Sequence, residues 1–243
     1  MELVVVFAAL AVGAFVKGMT GSGLPVLAIP VMTIFIGIER AVIIMSIPGV
    51  VSNVWLIRNH VRAASETRDL PGLVGTGVLG TVVGTVLLTT VDGRWLSVGL
   101  AGLIVAYVLI RLRRPETVLS PSVSAWASPP VGLAAGALQG STGVSGPLLS
   151  TYLHSFGLAP SAYIFSVSTL FLIFSLAQVV TLIAVGAYSA TLVVEGVLAI
   201  LPVAVMLPLG SRLSRRMRAE TFSRIVMASL LVAAVALVWR ALA

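Results

Sequence analysis

Two nine-residue segments of the sequence combine residue types that bind small anions. Residues 17–25 read KGMTGSGLP and residues 139–147 read QGSTGVSGP, with glycine, threonine, glycine and proline at the same four positions. A helix that restarts after such a glycine cluster presents unpaired N–H groups and the positive end of its dipole. Glycine allows close approach to the backbone, and hydroxyl groups add donors. These segments therefore favour hydrogen bonding and charge compensation of an anion.

Lys17 is the only lysine in the chain and ends an apolar run directly beside the first glycine cluster. Because an ionisable group in such a run is costly, it suggests a function, here a counter-charge for the ligand. Gln139 occupies the matching position of the second segment as a neutral donor. The alternative is that Lys17 reaches an interface or pairs with Glu39.

Polar residues on two further apolar runs could complete a lining. Asn53 and Ser46 lie on one run, and Gln178 and Ser168 lie on the other. The alternative is that small residues only allow close helix packing and that hydroxyls bond to their own helix. The predicted binding residues are Lys17, Gly18, Thr20, Gly21, Ser22, Gly23, Asn53, Gln139, Gly140, Thr142, Gly143, Ser145, Gly146 and Gln178.

The composition places these residues in a membrane. Hydrophobic residues make up 58% of the 243 positions and charged residues 9%, whereas soluble domains carry about a quarter charged residues. At roughly 20 residues per span, the length predicts an all-α polytopic protein with about eight to ten crossings. With no cysteine and two histidines, we expect neither a metal nor a cofactor. The net charge of +7 lies in connections between apolar runs, so nucleic acid is not an expected partner.

The glycine segments must interrupt helices. A continuous helix over residues 3–38 would be about 54 Å long, which exceeds the ~30 Å hydrocarbon core. We therefore expect broken or re-entrant helices at 17–25 and 139–147, and two repeats, 1–115 and 116–243, of five segments each. The predicted segments are 2–17, 22–37, 41–57, 70–90, 95–112, 124–139, 146–157, 161–184, 190–210 and 221–240.

The arginines predict the orientation of these segments. Three arginine-rich connections, 58–69, 111–123 and 211–220, fall on one side of the ten-segment arrangement, and the positive-inside rule makes that side cytoplasmic. The connection after the third segment is arginine-rich in the first half and uncharged in the second. This exchange predicts inverted repeats in the inner membrane, with both termini outside the cytoplasm.

The glycine-rich break followed by proline, present twice in an apolar chain of this length, resembles the sulfite exporter TauE/SafE family of membrane permeases. The resemblance covers the whole chain and implies transport, usually outward, of sulfite, sulfoacetate or related organosulfonates. Ser22 and Val144 stand where the family often has an aromatic residue. Export also agrees with the membrane potential, because a monovalent anion leaving a negative-inside cell gains about 2.3 kcal/mol per 100 mV.

Two other functions fit parts of the sequence. An anion channel could have the same architecture. Residues 143–146 also read GVSG, the nucleophile signature of rhomboid-like intramembrane proteases, with His154 as a conceivable base. Nine helical residues separate Ser145 from His154 by about 13 Å, too far for the hydrogen bond that catalysis needs. We therefore expect no catalytic residue, and the sequence does not predict an oligomeric state.

Overall fold

The computed structural model describes residues 2–113 and 120–213, and this part of the chain contains helices and no strand. A 3-10 segment, Val61–Glu66, follows the third helix. The ten helices of the described ranges are α1 (Glu2–Thr20), α2 (Leu24–Ile36), α3 (Ile38–His60), α4 (Leu70–Thr90), α5 (Gly93–Arg113), α6 (Pro121–Thr142), α7 (Gly146–His154), α8 (Pro160–Ala184), α9 (Ala190–Leu198) and α10 (Ile200–Leu213).

Helices occupy every predicted segment up to residue 213, and α4 has the predicted bounds. The predicted segment 190–210 is divided at Ala199 into α9 and α10. Pro202 provides the reason, since it has no N–H with which to bond the carbonyl of Leu198. The predicted segment 221–240, the boundary between the repeats at 115–116, and most of the last arginine cluster lie outside the described residues.

Several of the helices have the length and composition of membrane spans. Five stretches within the described residues qualify, namely Glu2–Thr20, Ile38–Glu66, Leu70–Thr90, Pro160–Ala184 and Ala190–Leu213. Large apolar side chains cover their outer surfaces: Leu79, Val180 and Ile183 are each more than 60% exposed. An apolar exterior of this extent suits lipid rather than water. The chain is therefore a multi-pass membrane protein, and the count of eight to ten crossings stays a prediction.

Glycines bring α1 against α10, and α6 against α4, at backbone distance. A Cβ on Gly18 would collide with the carbonyl oxygen of Leu207, and a Cβ on Gly140 would collide with that of Thr81. Small residues allow this close approach between membrane helices. Each of the two glycine segments therefore begins on a helix that is held tightly by a helix from the other half of the chain.

In each helix pair, the partner helix also contributes a glycine that packs against the backbone of the helix bearing the break. A Cβ on Gly210 would collide with the carbonyl oxygen of Phe15, and a Cβ on Gly84 would collide with that of Ala137. Gly210 and Leu207 are as far apart in sequence as Gly84 and Thr81. At these glycines, the packing of α10 on α1 therefore corresponds to the packing of α4 on α6.

Candidate functional site

The two glycine-rich segments interrupt helices where the sequence predicts. Helix α1 ends at Thr20 and α2 begins at Leu24, while α6 ends at Thr142 and α7 begins at Gly146. The φ angles of Gly21, Gly23 and Gly143 are 77°, 118° and 70°. Residues with a Cβ rarely adopt these angles, so glycine is needed to turn the chain there.

The threonine hydroxyls at the two breaks are used within their own segments. Thr20 Oγ1 donates to the carbonyl of Val16 at 3.0 Å and accepts from the Ser22 N–H at 3.3 Å. Thr142 Oγ1 donates to the carbonyl of Leu138 at 2.8 Å and accepts from the Val144 N–H at 3.3 Å. Both threonines therefore complete the hydrogen bonds of a helix end, as the packing alternative describes.

Lys17 is buried at the end of α1. Its side chain is 1% exposed, and its Nζ donates to Asn53 Oδ1 on α3 at 2.5 Å. The same Nζ lies 5.6 Å from the ring centroid of Phe171 on α8, within the range of a cation–π contact. Lys17 thus contacts a neutral amide and an aromatic ring in the protein interior, rather than Glu39 or the interface.

Gln139, at the matching position of α6, belongs to a neutral hydrogen-bond network. Its Oε1 accepts from Ser145 Oγ at 2.9 Å, and its Nε2 donates to Gln178 Oε1 at 3.4 Å. Gln178 Nε2 donates in turn to the carbonyls of Gln139 and Gly140 at 2.9 and 3.1 Å. The last turn of α6 is therefore bound by an amide on α8, just as the last turn of α1 is bound by an amide on α3.

A small cavity lined by both polar and apolar residues lies where the two breaks approach each other. It has a volume of about 10 Å³, roughly the space that one water molecule needs. Five predicted binding residues line it: Lys17, Asn53, Gln139, Gly143 and Gln178. The other lining residues are Pro25, Val42, Met45, Ser46, Gly49, Phe171 and Ser175.

The other predicted residues lie around the cavity without lining it. Gly18 and Gly140 form the close helix contacts described above, and Ser22 Oγ accepts from Ser150 Oγ on α7 at 3.4 Å. Phe171 and Ser175 line the cavity and are not among the residues that the sequence predicts. Ser175 had a detectable signal, because it is as far from Asn53 in sequence as Gln139 is from Lys17.

Contacts between the halves include one of the residues that line the cavity. Ser46 Oγ, which lines it, is 2.6 Å from the hydroxyl of Tyr188 in the connection between α8 and α9. Burial raises the pKa of Tyr188, so this phenol stays neutral at physiological pH. Near the N-terminal end of α3, Arg40 forms two hydrogen bonds with Glu195 of α9, at 3.1 and 2.5 Å. Glu2 lies 3.4 Å from the same guanidinium.

A different set of contacts lies in the α3–α4 connection. The guanidinium carbon of Arg68 lies 4.3 Å from the ring centroid of Phe156, and its Nε lies 3.7 Å from Asp69 Oδ2. Phe156 follows α7, so this cation–π contact also joins the two halves of the chain.

Ser145 and His154 do not form a nucleophile–base pair. Ser145 Oγ donates to Gln139, while His154 Nδ1 lies 2.6 Å from the carbonyl oxygen of Ser150. A serine protease needs the imidazole within hydrogen-bond reach of the serine hydroxyl.

Comparison with known proteins identifies the family. A family model described as "Sulfite exporter TauE/SafE" matches residues 5–237. The comparison with curated proteins returned no match, and neither did the comparison with solved structures. Since the matched range covers nearly the whole chain and includes both glycine-rich breaks, the chain belongs to the sulfite exporter TauE/SafE family.

Proposed function

We propose that the chain exports a small sulfur-containing anion, such as sulfite or an organosulfonate, by binding it in the cavity between the two helix breaks. Its family is one of membrane transporters. One observation carries the assignment of the site: Lys17 is buried beside the cavity, and none of the described residues that line the cavity is a carboxylate. A buried charge without an opposite charge is costly, so a bound anion would stabilise this arrangement.

The two halves, 1–115 and 116–243, are proposed to be inverted repeats. The equivalent register of the α1–α10 and α4–α6 contacts supports this, and so does the exchange of arginine-rich connections between the halves. In transporters built this way, the substrate site lies at the repeat interface, and one repeat moves against the other to alternate access. The cavity is lined by residues of α3 from the first half and of α8 from the second half, which supports its assignment as the substrate site.

The structure corresponds to a closed state in this proposal. The cavity has room for about one water molecule, so an anion enters only after contacts on one side separate. The Arg40–Glu195 and Ser46–Tyr188 pairs would separate on one side and the Arg68–Phe156 contact on the other. We assign the first side to the exterior and the second to the cytoplasm, because Arg68 belongs to an arginine-rich connection. Both termini would then lie outside the cytoplasm.

Flux of labelled sulfite in proteoliposomes tests the proposal. We expect saturable flux that unlabelled sulfite on the opposite side accelerates, because a carrier returns faster when loaded. Lys17→Ala should reduce this flux by at least about tenfold, as expected when a buried counter-charge is removed. Gly75→Ala is the matched control, since a Cβ at this position on α4 has no atom within 4 Å.

Three outcomes would contradict parts of the proposal. Flux that does not saturate and is not accelerated from the opposite side would indicate an anion channel. Equal flux in Lys17→Ala and Gly75→Ala would remove Lys17 from the site. Absence of flux for sulfite and for sulfonates would reject the substrate class itself.

A further inference from the structure

The charge of the cavity lining comes from one residue. Among the described residues that line the cavity, Lys17 alone has an ionisable cationic group, and the others are neutral polar or apolar residues. The nearby charges on α3 and α9 are already paired, because Arg40 is bound by Glu195 and Glu2. The described surroundings of the cavity therefore offer a ligand no more than one positive charge.

The helix ends add little to this charge. Helix α2 presents Pro25 to the cavity, and proline has no N–H to donate. From the second break, Gly143 lines the cavity, but its N–H is bonded to the carbonyl of Gln139 at 2.8 Å. Dipole effects decline within the first turn of a helix and correspond to a fraction of one charge. They do not replace a second cation.

The neutral donors of the cavity suit one sulfonate-type head group. Asn53 Oδ1 is occupied by Lys17, which leaves the amide N–H groups of Asn53 for a ligand. The Ser175 hydroxyl also lines the cavity. Together with the Lys17 ammonium, these groups give three kinds of donor for the three oxygens of a hydrogensulfite or sulfonate.

We infer that the cavity selects anions with a single negative charge, such as hydrogensulfite and simple alkanesulfonates, and rejects dianions such as sulfate and sulfoacetate. The inference thus narrows the range of substrates that the family resemblance implies, because it excludes sulfoacetate for this chain. This inference depends on the proposed function. A monoanion at Lys17 forms a neutral complex in the protein interior, whereas a dianion leaves one negative charge buried without compensation. The free energy of burying that charge is the physical basis of the selection.

The repeat provides a way to change the charge of the site. Gln139 occupies the position in α6 that Lys17 occupies in α1, and it lines the same cavity. Gln139→Lys would add a second cation at a position equivalent to one that already holds a lysine. Lys17→Gln would place glutamine at both matching positions and remove the positive charge from the lining.

Binding of methanesulfonate and sulfate to the purified full-length protein tests the inference, measured by calorimetry and by thermal stabilisation. These two probes are similar in size and differ by one charge. We expect the unaltered protein to bind methanesulfonate at least about tenfold more tightly than sulfate. Gln139→Lys should bind sulfate more tightly than methanesulfonate, and Lys17→Gln should weaken the binding of both.

A second pair of probes keeps the test independent of whether the variants fold. Isethionate and sulfoacetate are similar in size, and the second carries an additional carboxylate. The unaltered protein should prefer isethionate by a similar factor. Equal or tighter binding of sulfate and sulfoacetate by the unaltered protein would overturn the inference while leaving the proposed anion site intact. If the unaltered protein binds none of these probes and transports no sulfite, the proposed function itself fails.

Discussion

The two helix breaks can be compared atom by atom. At the first, the Gly21 N–H bonds to the carbonyl of Lys17 at 2.8 Å, and at the second the Gly143 N–H bonds to that of Gln139 at 2.8 Å. The threonine that follows each polar residue accepts an N–H at 3.3 Å in both copies. The backbone at the end of the first helix is therefore closely similar in the two breaks, although the sequences share only four positions. The restart differs, since Gly23 has a φ angle of 118° and the equivalent Ser145 has one of −105°.

The side chains that precede the breaks differ. Lys17 makes one bond, to Asn53, and places a cation in the cavity. Gln139 is bound by Ser145 and Gln178 in a neutral network. The comparison teaches that one half of the chain carries the charge of the proposed site while the other contributes neutral groups. Glycine angles and helix contacts constrain the backbone where each first helix ends, whereas they leave the identity of the preceding polar side chain open.

The largest expected loss of stability concerns the close helix contact that both breaks share. Gly18→Ala and Gly140→Ala should each lower the free energy of unfolding by about 3 kcal/mol, because the added Cβ collides with backbone of the neighbouring helix. Steric trapping in detergent micelles measures this quantity. Gly75→Ala, in open space on α4, should leave it unchanged or slightly raised. A large loss in only one of the two site variants would show that the two helix contacts are not equivalent.

A smaller loss of stability is expected at the Lys17–Asn53 hydrogen bond, which is found at the first break alone among the two. Asn53→Leu should lower the free energy of unfolding by about 2 kcal/mol, since it removes the oxygen that accepts a hydrogen bond from the buried Lys17 Nζ, and bonds to charged groups are the stronger kind. The double variant with Lys17→Met should recover part of this loss, because the group without a partner is then absent. No recovery would mean that Asn53 stabilises the protein by other contacts.

Removal of the amide that binds the second break should cost less. Gln178→Leu should lower the free energy of unfolding by about 1 kcal/mol, because the bonds that it removes join neutral groups. The same unfolding assay compares it directly with Asn53→Leu. If Gln178→Leu costs more, the neutral network rather than the charged pair dominates the stability of the breaks.

The smallest effect concerns the contact between the halves. Glu195→Gln should lower the free energy of unfolding by about 0.5 kcal/mol, since Arg40 is partly exposed and such pairs contribute little. It should nevertheless increase the access of a charged thiol reagent to Ser46→Cys, because the proposed exterior closure is weakened. The chain contains no other cysteine, so labelling reports this position alone. An unchanged labelling rate would exclude the Arg40–Glu195 pair from the closure.

The sequence was sufficient to predict the helix segments up to residue 213 and the positions of both breaks. Apolar runs define spans by length, and clusters of glycine and proline interrupt a helix locally. The composition excluded a soluble protein for the same reason: apolar surface of this extent requires lipid. The pattern of the breaks also led to the family, which the family model then confirmed.

Other features depend on contacts between residues that are distant in sequence. Sequence analysis grouped Thr20 and Thr142 with Lys17, yet both hydroxyls complete helix ends, because a hydroxyl takes the nearest carbonyl. Phe171 and Ser175 line the cavity only because α8 crosses α3 there. The partner of Lys17 was likewise undetermined, since several polar groups were available. Helix propensity and hydropathy act locally, whereas the neighbours of a buried charge are set by how the helices of the two halves pack.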